Sequence, residues 1–248
     1  MALGKRLINT GAAAVCNTDS VQAFGVDNAF SSNIALYQLD GDGGVTNNVP
    51  DTTTNYNGTA SNITYATGQF GNAAVFNGSS SKITNTGFNI TGNRSVSFWV
   101  RMSSSSSQNT GVLSTWNNGS DYLEGFVVRG GAANTNFVLS VGATNHTIAA
   151  LNTNWNHIVL IYDGTYYQVY FNGTQVLTDI TVQSGIEQLT NLQLGARHTP
   201  TDTQYFNGSI DQVRIFDRQI TSEEVSTLYN ESTSTASNTN PLSDGSGV

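Results

Sequence analysis

The sequence predicts an all-β chain folded as a two-sheet antiparallel β-sandwich or jelly roll, and three observations carry that expectation. Short runs of alternating apolar and polar residues recur along most of its 248 residues, separated by Gly, Asn and Asp, the pattern of strands joined by tight turns. The stretch "NWNHIVLIYDGTYYQVYFNGTQV", Asn154 to Val176, holds three β-rich runs split by Asp163-Gly164 and Asn172-Gly173. These dipeptides tolerate the positive φ of type I′ turns, so Ile158–Tyr162, Tyr166–Phe171 and Thr174–Leu177 read as consecutive hairpin strands. Only one segment, near the end, has helical spacing.

Residues 1–32 lack sustained alternation and read as an N-terminal arm or linker. Lys5 and Arg6 precede a weakly apolar run that Asn9, Thr10 and Gly11 interrupt. A signal peptide needs about 7 to 15 continuous apolar residues, so no secretion signal is expected. The sandwich begins at "NIALYQLDG", Asn33 to Gly41, which alternates as a half-buried strand does. A polar loop is expected from Asp42 to Asn57. The runs Gly71–Ile83, Ser95–Met102, Gly111–Trp116, Glu124–Gly130 and Asn136–Gly142 are each strand-like, and "LQLGAR", Leu192 to Arg197, follows the hairpins. The one helix has Thr221 as N-cap and Glu224 at the capping-box position, then Val225, Leu228 and Tyr229 on one face. After Glu231 a Ser- and Thr-rich tail cannot bury enough apolar surface to order itself. The division is therefore 1–32 arm, 33–231 sandwich, 232–248 tail.

Charged residues make up only 10% of the chain and the net charge is −8, with Lys5 and Lys82 the only lysines. No basic patch is available to neutralise phosphates or anionic lipid, so neither nucleic acid nor membrane is an expected partner. Cys16 is the only cysteine, so stability rests on sheet packing without an intrachain disulfide. The Asn-x-Ser/Thr sites at Asn57, Asn77, Asn118, Asn172 and Asn207 read as turn chemistry.

Four motifs carry a family resemblance: "FGNAAVFNG" at Phe70 to Gly78, "SVSFWV" at Ser95 to Val100, "WNHIV" at Trp155 to Val159 and "GSIDQVRIF" at Gly208 to Phe216. Together, across Asn33 to Glu231, they resemble a laminin G-like jelly roll of the concanavalin A-like lectin and glucanase superfamily. The resemblance implies that Trp99, Trp155 and Phe216 fill the space between the sheets. It also implies one calcium ion, which Asp51 would bind with Asn55, Asn57 or backbone carbonyls and with Asp211. The other reading of these residues is an Asx-turn at Asp51 and a buried, hydrogen-bonded Asp211.

The glucanase strand motif Glu-x-Asp-x-x-Glu is absent, and His146, His157 and His198 make no metal set. With no nucleophile-elbow motif either, an enzyme is not expected. Sugar binding is the stronger reading, because such sites pair an aromatic platform with amides and carboxylates that orient hydroxyls. The loop "TWNNGSDYLEG" offers Trp116, Asn117, Asp121 and Tyr122, with Arg197 and His198 from another loop. Alternatively, Trp116 and Tyr122 cap the sandwich.

The opening "LGKRLINTGA", taken with "IALYQLDGDG" and the jelly roll, is similar to lectin-like structural proteins of tailed bacteriophages, notably marine ones. That resemblance implies a virion component, a capsid decoration or a tail or fibre part, docked by its arm. Its partners would be other virion proteins, copies of itself and cell-surface glycans. The alternative is an extracellular lectin module.

Overall fold

The computed structural model describes residues 33–41, 47–103, 110–116, 126–130, 136–141, 144–181, 188–197 and 204–231. The expected arm and tail lie outside these residues. In chain order the strands are β1 (Asn33–Tyr37), β2 (Asn48–Val49), β3 (Gly58–Ser61), β4 (Thr64–Thr67), β5 (Asn72–Asn77), β6 (Lys82–Asn85), β7 (Ile90–Thr91), β8 (Arg94–Met102) and β9 (Gly111–Trp116). They continue as β10 (Phe126–Gly130), β11 (Asn136–Val141), β12 (Thr144–Ala150), β13 (Asn156–Tyr162), β14 (Tyr166–Phe171), β15 (Thr174–Thr181), β16 (Gln188–Leu189), β17 (Asn191–Leu194) and β18 (Asn207–Phe216), before helix α1 (Ser222–Tyr229).

Two sheets form the antiparallel sandwich. Sheet A runs β15-β14-β13-β8-β18-β5-β4, with β1 also paired to β18, and sheet B runs β12-β11-β10-β9-β17-β6-β3-β2. Between them lies the main core, where Phe98 and Val100 of β8, Leu160 of β13 and Ile215 of β18 meet Leu113, Leu139 and Leu194 of sheet B. At one end the two sheets finish in the edge strands β15 and β12, which carry no lysine to discourage pairing with another chain. Both instead contain register shifts, the bulges that blunt an exposed edge.

Both hairpins predicted from dipeptides are present, with different turns. Asn172 (φ 50°) and Gly173 (φ 78°) both occupy the left-handed region, as a type I′ turn requires. At Asp163 only Gly164 is left-handed (φ 94°). There the carboxylate accepts the Thr165 and Tyr166 N–H groups at 2.8 and 2.7 Å, closing a three-residue loop. Helix α1 starts as its sequence directs: the Thr221 hydroxyl accepts the Glu224 N–H, and the Glu224 carboxylate accepts the Thr221 N–H. Strand β2 falls inside the loop expected from Asp42 to Asn57, and β3, β4 and β12 fall where the sequence marks no strand; all four are short or mostly polar and lack the alternation that would have marked them.

The structure corrects the placement of Trp99, Trp155 and Phe216. None fills the space between the sheets; all three lie on the outer face of sheet A, under or beside helix α1. Phe216 packs with Val159, Ile161 and Tyr170 against Ile220, Val225 and Leu228. Trp99 packs with Phe70, and Trp155 and Tyr229 close over them. Strand parity is the reason. Along β8, Val96, Phe98, Val100 and Met102 point into the main core, so Ser95, Ser97, Trp99 and Arg101 must point away.

A bulge in β18 sets what shares that face. Asp211 pairs with Trp99 but Arg214 pairs with Ser97, so one extra residue is accommodated between them, and Gln212 takes φ 49°. The insertion turns both Asp211 and Arg214 outward while Val213 stays in the core. His157 stands in the same transverse row, opposite Trp99, and is completely buried. Burial first, and the Arg214 charge second, push its imidazole down to about 3 from the usual 6.5.

The linkage sign follows from that depressed value. His157 is neutral in the fold, so its contribution is complete above about pH 6.5 and is lost as the pH falls towards 3. Burial moves Asp211 the opposite way, well above the usual carboxylate range. Its protonated form is retained in the fold, which offsets part of the loss at the acid end. In a His157→Gln variant, the decline in urea-unfolding free energy from pH 6.5 to 4 is expected to be shallower than in the parent chain.

Candidate functional site

The two outer faces of the sandwich differ. Helix α1 seals that of sheet A with apolar residues, and no helix among the described residues lies over sheet B. Backbone register there aligns one residue from each strand in a transverse row: Asn48, Thr59, Thr84, Gln193, Ser114, Val127, Ser140 and Asn145. Their chain neighbours Ile83, Leu194, Leu113 and Leu139 face the core, so the row belongs to the opposite face.

Seven of these eight positions carry a hydroxyl or an amide, and none carries a charge. Ser114, Gln193 and Ser140 are buried, Thr84 is half-buried, and Thr59 and Asn145 are exposed. Thr84 Oγ1 donates to Gln193 Oε1 at 3.3 Å, Ser114 Oγ donates to the Ala196 carbonyl at 3.1 Å, and Ser140 Oγ donates to Asn145 Oδ1 at 2.7 Å. The exposed Thr59 and Asn145 and the half-buried Asn48 and Thr84 can trade hydrogen bonds with a polyhydroxyl ligand without desolvating an ion, while the buried Ser114, Gln193 and Ser140 bond within the sheet and hold the row in place. The row itself has no carboxylate to act as a general acid.

Of the expected sugar-binding residues, Asn117, Asp121, Tyr122 and His198 lie outside the described residues. Trp116 is described in its backbone, as the last residue of β9 opposite Asn191. Arg197 follows β17 at the other end of the same ladder. It lies against Gly111, at the start of β9, and donates through Nη1 to Gln204 Oε1 at 2.7 Å. Five residues of strand separate Gly111 from Trp116, about 17 Å at 3.4 Å per residue. The structure thus sets Trp116 and Arg197 at opposite ends of the β9–β17 ladder, with Ser114 and Gln193 between them. Sequence reasoning missed this row because it is assembled by register from segments spread between Asn48 and Gln193.

The residues expected to hold calcium are engaged separately. Asp51 is buried, and Oδ1 accepts the Leu36 and Thr53 N–H groups at 2.7 and 3.1 Å. Its Oδ2 accepts the Tyr56 N–H at 3.1 Å and the Thr53 hydroxyl. Asn57 Oδ1 accepts the Asp51 N–H at 2.9 Å, and the exposed Asn55 donates to Thr53. Thr52 N–H also donates to the Leu36 carbonyl at 2.9 Å, and Thr53 Oγ1 lies 2.9 Å from the Ile34 carbonyl. The Asp51 turn therefore acts as a cap on the open edge of β1.

Asp211 serves a different turn: Oδ2 accepts the Gln69 and Phe70 N–H groups at 2.9 Å, while Oδ1 is buried without a hydrogen-bond partner. Calcium takes six to eight oxygens. Asp51, Asn55, Asn57 and Asp211 do not fit one such cage, since N–H donors occupy Asp51 and the two aspartates share no partner. Among the described residues, no group of three or more His, Cys, Asp or Glu is placed to hold a metal. Asp51→Ala is expected to cost about 2 to 4 kcal/mol by orphaning buried N–H groups of β1 and its turn. The drop in Tm should be the same in calcium and in EDTA.

The two-sheet sandwich, with one outer face capped by a helix and the other crossed by a row of hydroxyl and amide side chains, is a lectin-like fold. A laminin G family model, described as the concanavalin A-like lectin/glucanases superfamily, matches residues 77–226, and the chain belongs to that family. No curated protein matches the sequence. Among solved structures, domain 4 of AbnA, a GH43 extracellular arabinanase from Geobacillus stearothermophilus in complex with arabinotriose, is 23% identical with a TM-score of 0.62. That alignment covers 80% of this chain and 98% of the domain.

The Trypanosoma rangeli sialidase is 11% identical with a TM-score of 0.65, and the match covers 80% of this chain but 32% of the sialidase. A structure of botulinum neurotoxin type C, whose cell entry depends on interaction with two ganglioside molecules, is 18% identical with a TM-score of 0.62. The match there covers 83% of this chain and 53% of the other. At these identities the likeness is one of fold.

Proposed function

We propose that this chain is a non-enzymatic carbohydrate-binding sandwich that presents the outer face of sheet B to glycans as part of a virion. The observation that carries the carbohydrate reading is the uncharged row of hydroxyl and amide side chains across that face. The arabinotriose complex and the ganglioside-dependent neurotoxin, both on this fold, support it. The virion setting, whether capsid decoration or tail or fibre component, rests on the likeness of the opening segment to lectin-like phage proteins. In that setting many weak sites arrayed by symmetry gain avidity.

Screening the full chain on a glycan array, followed by Trp116→Ala and Thr84→Val, tests the binding site. Each substitution is expected to weaken binding about tenfold, a loss of about 1.4 kcal/mol, with the fold intact. Failure of the chain to bind any glycan would reject the carbohydrate reading. For the setting, the protein should be found by mass spectrometry in purified phage particles from the source culture, and its absence would remove the virion reading.

A further inference from the structure

The outer face of sheet A holds a buried polar cluster that the carbohydrate reading does not use. His157 on β13, Ser97 and Trp99 on β8, and Arg214 on β18 lie side by side, sealed by Tyr229 of α1 and by Glu231 just beyond it. The His157 ring is 4.9 Å from Trp99 and 6.2 Å from Tyr229, centroid to centroid, at 32° and 22°. Its Nε2 is 2.8 Å from Ser97 Oγ, and its Nδ1 is buried without a hydrogen-bond partner. Arg214 Nη2 donates to both carboxylate oxygens of Glu231 at 3.2 Å, with the two side chains 1% and 0% exposed.

We propose that helix α1 is an acid-released latch, held shut by neutral His157 and by the Arg214–Glu231 pair, whose opening uncovers an apolar strip on sheet A. The charged and titratable groups around His157 come from several elements. Arg214 lies on β18, with Asp211 on the far side of Trp99 in the same strand. Tyr229 comes from α1, and Glu231 follows it. β8 contributes Ser97 and Trp99, with Arg101 farther along the same face, its guanidinium 5.0 Å from the Trp155 ring centroid, and the turn after β14 contributes the side-chain amide of Asn172, whose Oδ1 accepts the backbone N–H of His157.

Two effects of acid point the same way. Protonating Glu231 removes the negative charge that Arg214 pairs with. Protonating His157 places a second positive charge beside Arg214, on a buried ring packed beside Trp99 and Tyr229. Neither cation gains an acceptor while the helix stays down, and both gain water when it lifts. Because α1 carries Tyr229 and leads directly into Glu231, the cover and the anion leave together. The strip then exposed is Val159, Ile161, Tyr170 and Phe216, which Ile220, Val225 and Leu228 otherwise shield. The main core between the sheets contains none of these residues, so the sandwich remains closed while the latch is open.

Pulsed hydrogen exchange on the full chain, pre-equilibrated from pH 7 downwards, tests the latch. Amides of residues 222–229 should lose protection at least about tenfold before those of Phe98, Leu160 and Ile215 do, a sub-global opening. Binding of an apolar dye should rise over the same pH range. In His157→Gln the opening is expected to shift about one pH unit lower, and in Glu231→Gln the helix should already exchange faster at pH 7. Loss of protection in helix and sheet together at every pH would overturn the proposal, as would an unshifted opening in His157→Gln. The hydrogen-exchange comparison in the unmodified chain decides the matter even when a substituted chain fails to fold.

Discussion

Glu231→Ala is expected to destabilise the chain by about 3 to 5 kcal/mol, although this residue lies beyond helix α1 and outside both sheets of the sandwich. The Arg214 guanidinium is in the fold's interior, 1% exposed on its side chain, and pairs there with the Glu231 carboxylate at 3.2 Å. Removing the carboxylate leaves a cation buried beside His157 on the covered face of sheet A. Breaking such a pair costs far more than the pair itself contributes, because the surviving charge stays desolvated. The double substitution Arg214→Met with Glu231→Leu should therefore recover most of the loss, to within about 1 kcal/mol of the parent. Urea unfolding of both variants checks the argument. A Glu231→Ala cost below about 1 kcal/mol would mean that the pair is effectively solvated and the helix end loose.

Gly195→Ala is expected to cost about 3 to 5 kcal/mol, summing an overpacking penalty and a left-handed backbone penalty. Gly195 follows β17 with φ +80°, and a Cβ there would come within 1.9 Å of Phe76 Cδ1. Phe76 cannot yield, being buried in the main core with its ring 5.8 Å from that of Phe206. Gly92 provides the control. It has φ +77° and nothing within 4 Å of where a Cβ would sit, so Gly92→Ala should show only the backbone part, about 1 to 2 kcal/mol. Equal losses at the two sites, measured by thermal unfolding, would show that packing against Phe76 contributes nothing.

The strands most legible in the sequence were runs rich in aromatic and β-branched residues bounded by Gly, Asn or Asp. β14 and β9 begin and end where the sequence placed them, and the capping box of α1 could be read from Thr221 and Glu224 alone. Alternation gives two faces but does not say what covers each. The resemblance therefore suggested Trp99 and Phe216 as filling between the sheets, while the structure lays a helix over them.

A signal for this was present in "SVSFWV": Trp99 shares its parity with Ser95 and Ser97, and Phe98 with Val96 and Val100. Asp51 was legible as either ligand or turn residue, and its four acceptor contacts show it acting as a turn residue. The row on sheet B was not legible, because each of its polar members is an ordinary Ser, Thr, Asn or Gln until register brings them together. The Asp211–Gln212 bulge was equally hidden, since nothing in "IDQVRIF" marks one residue as supernumerary.

The most direct test of the carbohydrate reading is a backbone-amide NMR titration of the full chain with the best neutral oligosaccharide from the array. The account predicts shifts clustered on β6, β17 and β9, around Thr84, Gln193 and Ser114, with the His157 and Trp99 amides under helix α1 unmoved. Shifts confined to the sheet A side, or saturation with no shift in β6, β17 or β9, would contradict it.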